Sequence, residues 1–299
     1  MNARGRWTIA MVAAAACVPL GCCAPQQVGY QPKWFVEPIV ALPSYATIAS
    51  KYNERCKDLN KLRCPANLVI ESPGENAGDR RTDQVEANLQ FIAPQRIALR
   101  VDKVANTLAY LGCNETKYWW LDLGNPKRAL VGEHAGATPR SAARFGIPVH
   151  PLDLIDLLGV LPLPVEKQPV EWSEDKTLWV VTLPPRGKGW GERTIAIDPA
   201  TGEPRRIEVY DARGDLAASA ELSKFVGVAV RGDTFSKAAM ASRYEVEIPA
   251  TDSTIVVSIA QPENPAERMR TAPFDLPRLL ESYGISTVQD VDAASGGAP

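Results

Sequence analysis

Histidine is scarce in this chain: two occur in 299 residues, His134 and His150. No Gly-x-Ser-x-Gly is present, so the most legible hydrolase signature is missing. His134 stands in Gly132-Glu133-His134-Ala135 and His150 directly precedes Pro151, a setting in which capping or packing explains it better than general-base work. Cys-x-x-Cys is also absent, and the histidines lie far from each other and from the cysteines in sequence, so no metal site is expected. Gly187-Lys188-Gly189-Trp190-Gly191 lacks both the Walker spacing and the Ser or Thr that follows it. A hairpin tip is expected there, with Trp190 offered to a membrane or a partner. The 33 basic and 35 acidic residues are interspersed, with no basic stripe, which excludes the usual footprint of a nucleic-acid binder. These absences predict no catalytic residue, no cofactor and no nucleic-acid partner.

Long apolar runs are equally rare. The one that exists covers residues 7–20, follows Arg4 and Arg6, and is too short to cross a bilayer comfortably. It reads as a signal peptide over residues 1–21. Leu20-Gly21-Cys22-Cys23 ends it, and a small residue before a cysteine resembles a bacterial lipobox, with Pro19 as a departure from that pattern. Cys22 is the expected lipid acceptor; read one residue later, the pattern selects Cys23. The plainer alternative is an ordinary secretory signal cut before Gln26. Residues 22–42, interrupted by prolines, resemble an extended tether, and 292–299 are small, polar and loose. Residues 43–291 suffice for a single domain with a sizeable core.

Export sorts the remaining cysteines. An oxidising compartment permits Cys56 and Cys64 to pair across a short loop, although their spacing fits two unpaired thiols as well. Cys113 has no obvious partner.

The body alternates between two periodicities. Tyr45, Ile48, Ala49, Tyr52, Cys56, Leu59 and Leu62 recur at helical spacing, with Ser44 as N-cap and Pro65 beyond. Strands are predicted over 84–92, 96–103, 107–111 and 116–123; the last carries aromatics toward both faces and is expected to be covered on both sides. Residues 124–140 are irregular and end this first meander. Pro151 opens a helix that Gly159 closes. A second meander follows over 177–183, 193–198, 205–210, 215–226, 244–249 and 254–260, and 273–283 reads as a closing helix. The order is α+β, with helices covering one face of a largely antiparallel sheet. Residues 231–272 are hard to place beyond those last strands.

Three stretches then carry a resemblance. Asn88-Leu89-Gln90-Phe91-x-Ala93-Pro94-x-Arg96-Ile97-x-Leu99-Arg100, the Pro-Leu-Asp-Leu at 151–154, and Ile197-Asp198-Pro199-x-Thr201-Gly202-x-Pro204-Arg205-Arg206-x-Glu208-x-Tyr210-Asp211 are similar in order and spacing to the lipoprotein-carrier superfamily of LolA, LolB and RseB-like proteins. The resemblance covers roughly residues 45–260. It implies a strongly curved antiparallel sheet, an incomplete barrel whose mouth is covered by helices, with a hydrophobic cavity between them. It also implies a non-catalytic envelope protein that binds an acyl chain, a lipid or a lipoprotein. An anchored form departs from a soluble carrier and is more like a receptor; the alternative is a structural or sensory lipoprotein with a self-filled cavity and a protein partner. No cavity motif transfers residue by residue, so the candidates come from strand alternation in the simplest meander: Ile97, Leu99, Val101, Leu108, Tyr110, Tyr118 and Trp120. If Cys22 carries the anchor, Cys22→Ala is expected to leave the precursor unprocessed by the lipoprotein peptidase on immunoblots; normal maturation would move the anchor to Cys23 or remove it.

Overall fold

Alternation of apolar and polar side chains runs through most of the chain, and the computed structural model, which describes residues 41–293 except 75, 77, 146–148 and 234, resolves that alternation into strands. Helix α1 (Tyr45–Cys56) is capped by Ser44, whose side chain accepts the Thr47 N–H. Six strands follow: β1 (Lys61–Pro73), β2 (Arg80–Ile92), β3 (Arg96–Lys103), β4 (Asn106–Cys113), β5 (Lys117–Asp122) and β6 (Arg128–Glu133). Two short helices, α2 (Pro139–Ala143) and α3 (Asp153–Asp156), lead to β7 (Val170–Trp172), β8 (Trp179–Leu183), β9 (Trp190–Ile197), β10 (Pro204–Asp211) and β11 (Leu216–Gly227). The chain closes with β12 (Ala229–Val230), β13 (Ala239–Ile248), β14 (Ser253–Ile259), β15 (Glu263–Asn264), helix α4 (Leu276–Tyr283) and β16 (Val288–Asp290).

The strands form one sheet in the order β16-β6-β5-β4-β3-β2-β1-β14-β13-β11-β10-β9-β8-β7. Its long ladders are antiparallel, and its end strands β16 and β7 do not meet, so it is an open, incomplete barrel. The two meanders join where β1 pairs with β14, Leu68 opposite Val257 and Ile70 opposite Ile255. Pro65, expected to follow a helix, lies inside β1. It is tolerated because it sits between the β14 and β15 pairings, where only its carbonyl is used, accepting the Ala260 N–H at 2.9 Å. The predicted first helix therefore ends at Cys56, before Leu59 and Leu62, which enter the core from a turn and a strand.

Both faces of the sheet are covered, by different parts of the chain. On the concave face Tyr45, Ile48 and Tyr52 of α1 pack with Leu152, Ile155 and Leu163 against Leu62, Leu89, Phe91, Ile207 and Leu222. On the convex face Phe274, Leu276 and Leu279 pack against Ala98, Tyr110, Trp119 and Leu121. The closing helix is thus on the back of the sheet and not in its mouth, and β5, with Tyr118 toward one face and Trp119 toward the other, is covered on both sides. The expected helix from Pro151 to Gly159 contracts to α3 and flanking turns. Strand β6 arises where irregular structure was expected and β7 where no element was assigned, because pairing with β5 and β8 supplies the order that composition does not.

Of the two states open to Cys56 and Cys64, bridged or unpaired, the structure has the unpaired one. Both are buried free thiols: the Cys56 Sγ faces the Leu161 carbonyl at 3.8 Å, while Cys64 lies within β1 near the Glu263 backbone. Burial pushes their pKa values up to about 11 and about 12. Cys113 is also free and buried. The lipidation candidates Cys22 and Cys23, the signal peptide and the tether up to residue 40 lie outside the described residues, as do residues 294–299.

Gly132 shows how tightly the aromatic strand packs. A Cβ there would lie 2.3 Å from the Tyr118 ring directly across from it on β5. Gly132→Ala is expected to destabilise the fold by about 1–3 kcal/mol in urea titrations, and by much less in a Tyr118→Ala background; an equal loss in both backgrounds would contradict this packing.

Candidate functional site

A cavity of about 260 Å³ opens between the concave face and the segment around α3. Ile97 and Leu99 of β3 line one wall with Tyr118 and Trp120 of β5, while Val246, Ile255 and Val257 of the second meander line the other. Phe145, Leu154 and Leu158 roof it. No carboxylate, no basic side chain and no side-chain amide is among the lining residues. The hydroxyls and thiol that are present are turned into the protein: Tyr118 donates to Asp292 Oδ1 at 3.0 Å, Tyr244 to the Leu158 carbonyl at 3.3 Å and Cys113 to the Gln95 carbonyl at 2.9 Å. The volume exceeds the roughly 150 Å³ void that holds a benzene ring and falls short of the roughly 300 Å³ at which drug-sized pockets begin. Such a space suits a chain or ring of hydrocarbon held by burial, without directional bonds.

The seven sequence candidates divide here. Ile97, Leu99, Tyr118 and Trp120 line the cavity, and Val101 shares their face and packs with the same core without reaching the lining. Leu108 and Tyr110 do not. In a plain hairpin closed by Lys103 opposite Asn106, Leu99 would face Tyr110 and Val101 would face Leu108. A β-bulge intervenes: Asp102 pairs with Thr107 but Val101 with Ala109, so Leu108 is the extra residue and β4 is turned over beyond it. Ala109, Leu111 and Cys113 take the concave side, Tyr110 goes to the convex side, and Leu108 is 41% exposed. The walls supplied by β13, β14 and Phe145 were missed because nothing in the sequence brings residues 244–259 next to residues 66–70.

The roof is pinned from two directions. Tyr52 and Arg55 of α1 both donate to the Gly159 carbonyl, at 3.2 and 2.6 Å, and Asn53 exchanges hydrogen bonds with the backbone of Leu163. Below α3, Asp153 and Asp156 meet Arg186 and Arg193: Arg186 bonds each at 2.6 Å, and Arg193 pairs with Asp156 and donates to the Pro184 carbonyl at 2.6 Å. Asp153 is 1% exposed, and burial, set against the two guanidiniums, leaves its pKa raised to about 6. The Asp in the Pro-Leu-Asp-Leu stretch is therefore an anchor of the roof. The third stretch, from Ile197 to Asp211, does comparable work. Asp198 accepts from the Ala200 and Thr201 N–H groups and pairs with Arg205 at 2.8 Å, forming the turn on which Lys51 of α1 rests through the Pro199 and Ala200 carbonyls.

The two histidines, distant in sequence, stack at 6.2 Å between ring centroids. His150 Nδ1 accepts the Leu152 N–H at 3.2 Å, a capping role, and its ring meets Trp190 edge-on at 5.1 Å. Trp190 is 7% exposed, so it is a packing residue under the roof and not a surface contact. Burial, then Arg186 and His134, push the His150 pKa down to about 4; burial also lowers that of His134, opposed by its bond to the Asn114 carbonyl.

This open sheet, bent over an apolar space and roofed by a short helical segment, has a LolA-like fold. Among solved structures, a LolA superfamily protein from Nitrosomonas europaea is similar with a TM-score of 0.52 at 10% identity, covering 78% of this chain and 98% of its own. A domain from Vibrio parahaemolyticus assigned provisionally to outer membrane lipoprotein sorting gives 0.52 at 13% identity over 78% and 97%. A DUF1329 family protein from Desulfovibrio piger gives 0.51 at 10% over 80% and 100%. No protein-family model matches the sequence, and no curated protein does.

Between pH 6.5 and about 4 the unfolded chain binds a proton at His150 that the native state refuses, so this group's contribution is lost as pH falls through that window. Asp153 has the opposite sign, its native form taking up a proton first between about 6 and 3.8. The comparison is therefore made against His150→Asn, which retains an acceptor but no titration. The melting temperature of the wild type relative to this variant is expected to fall between pH 7 and pH 4.5; a constant difference would contradict the buried neutral imidazole.

Proposed function

We propose that the protein is a non-catalytic, lipid-anchored component of a bacterial cell envelope that holds an acyl chain, or the acyl portion of a lipid or lipoprotein, in the cavity beneath α3. The observation that carries this reading is the composition of the cavity: two halves of the sheet and the roof converge on it with hydrocarbon and aromatic side chains, and every tyrosine hydroxyl there is satisfied elsewhere. Its support from the similar structures is one of fold.

Binding in such a space is driven by burial, about 0.8 kcal/mol for each methylene removed from water. About seven buried methylenes would therefore give reversible retention comparable to the marginal membrane binding of one acyl chain. With no directional bond to break, the occupant passes to a membrane or to a larger apolar site whenever that site buries more of it. Among the described residues no helix is long and apolar enough to cross a membrane. On this reading the acylated Cys22, or Cys23 in its place, supplies attachment, with residues 22–42 as tether, 43–291 as the binding domain and 292–299 as a loose tail.

A fluorescent fatty acid such as cis-parinaric acid is expected to bind the protein reversibly. Leu99→Trp, which fills the cavity from β3, is expected to weaken binding by about tenfold or more, the equivalent of roughly two methylenes of lost burial, with little change in melting temperature. Absence of binding, or equal binding by the variant, would transfer the reading to an envelope lipoprotein whose cavity is plugged by its own roof and whose surface meets a protein partner.

A further inference from the structure

On the convex face, opposite the apolar cavity, lies a separate groove of about 860 Å³. Arg63 of β1, Arg100 of β3, Arg231, Arg268, Arg270 and Arg278 of α4 all line it, and Glu263 is its only carboxylate. This concentration is not a consequence of a basic composition, since the chain carries a formal charge of −2 and acids outnumber bases. Arg63 is paired with Glu263, and Arg100 with Asp102 at 2.9 Å. Among the described residues, the side chains of Arg231, Arg268, Arg270 and Arg278 have no carboxylate partner and no hydrogen bond. Four uncompensated guanidiniums sharing one concavity repel one another, a cost that a bound anion would remove.

The groove is built and held, not a chance meeting of surface side chains. Its outer wall is built from Ala229 to Arg231, from Glu263 to Ala272, the latter within the stretch that was hard to place from sequence, and from α4. That wall is fastened by the parallel pairing of β12 with β15, by the Arg231 N–H to the Asn264 carbonyl at 3.1 Å, and by buried Asn264, whose amide donates to the Asp58 carbonyl at 2.7 Å. Tyr110, sent to this face by the β4 bulge, donates to the Pro273 carbonyl at 2.9 Å and closes the floor. Beside the arginines, Met269, Leu279 and the rings of Tyr110 and Tyr283, 6.1 Å apart, give an apolar flank.

We propose that this groove binds a phosphate-bearing anion that also carries an apolar portion, the chemistry of an anionic glycerolipid headgroup. Guanidiniums present paired N–H donors that match phosphate oxygens, and the volume lies within the roughly 300–1,000 Å³ of small-ligand pockets. The apolar flank beside the charges separates this chemistry from that of inorganic phosphate alone. The assignment does not rest on the acyl cavity, which is on the other face of the sheet and has no charged lining residue.

The test titrates the full chain, kept in a non-ionic detergent, with soluble dihexanoylphosphatidylglycerol, its phosphatidylcholine counterpart, glycerol 3-phosphate and poly-glutamate, reading binding by microscale thermophoresis. The anionic lipid is expected to bind at least about tenfold more tightly than the zwitterionic one, with an affinity that falls as salt rises. The combined Arg268→Ala, Arg270→Ala and Arg278→Ala variant is expected to lose that preference, and Arg270→Glu alone to reduce it. Weaker binding of glycerol 3-phosphate than of the anionic lipid supports a lipid as the source of the phosphate; equal binding would overturn the lipid in favour of a soluble phosphate ester. No preference for the anionic lipid, a preference unchanged in both variants, or a response to poly-glutamate alone would overturn the proposal, the last in favour of an acidic protein partner.

Discussion

The pairing of β1 with β14 governs everything else in this fold. Each meander by itself is a ribbon whose apolar face has nothing opposite it. Joining them through Ala66 to Ile70 against Ile255 to Ile259 makes one sheet, and only then do Leu99 and Trp120 on one side and Val246 and Val257 on the other look into a common space. A sheet of this extent twists and curls, and its concave side is too broad for its own side chains to fill. α1 and the segment from Val149 to Leu163 take most of that room, and the cavity is what they leave.

The roof is held by polar contacts and the cavity is left free of them. Buried Asp153, Asp156 and Arg193, with the more exposed Arg186 at their rim, form a cluster in which each charge has an opposite partner, and removing a cation from it leaves an uncompensated buried carboxylate. Stabilising the roof in this way fixes the cavity's height without placing any ion in its lining. The two faces of the sheet consequently offer opposite chemistries: hydrocarbon within the curve, guanidinium outside it. On the two proposals made above, the first suits the chains of a lipid and the second its phosphate.

Much of this was legible in the sequence, for identifiable reasons. Strand 96–103 was read to the residue because Ile97, Leu99 and Val101 alternate without interruption between clear breaks. The turn motif around Asp198 and Gly202 was recognisable because its hydrogen bonds are local. Tyr118 and Trp120 were placed on the correct face, whereas Leu108 and Tyr110 were not, since one bulged residue inverts every side chain after it and leaves no compositional mark. Trp190 was misread for a related reason: the glycines around it describe a tip, and only the arrival of His150 and the roof buries it.

The residues alone therefore determined what depends on near neighbours: the periods of helix and strand, the turn chemistry and the α+β order. Tertiary structure decided which strands became neighbours across the β1–β14 seam, which face each side chain took beyond the bulge, that Cys56 and Cys64 stay apart, and that six arginines spread between positions 63 and 278 meet in one groove. Local periodicity is set by sterics within a few residues, whereas register and long-range pairing are settled by the total apolar area that the assembled sheet can bury.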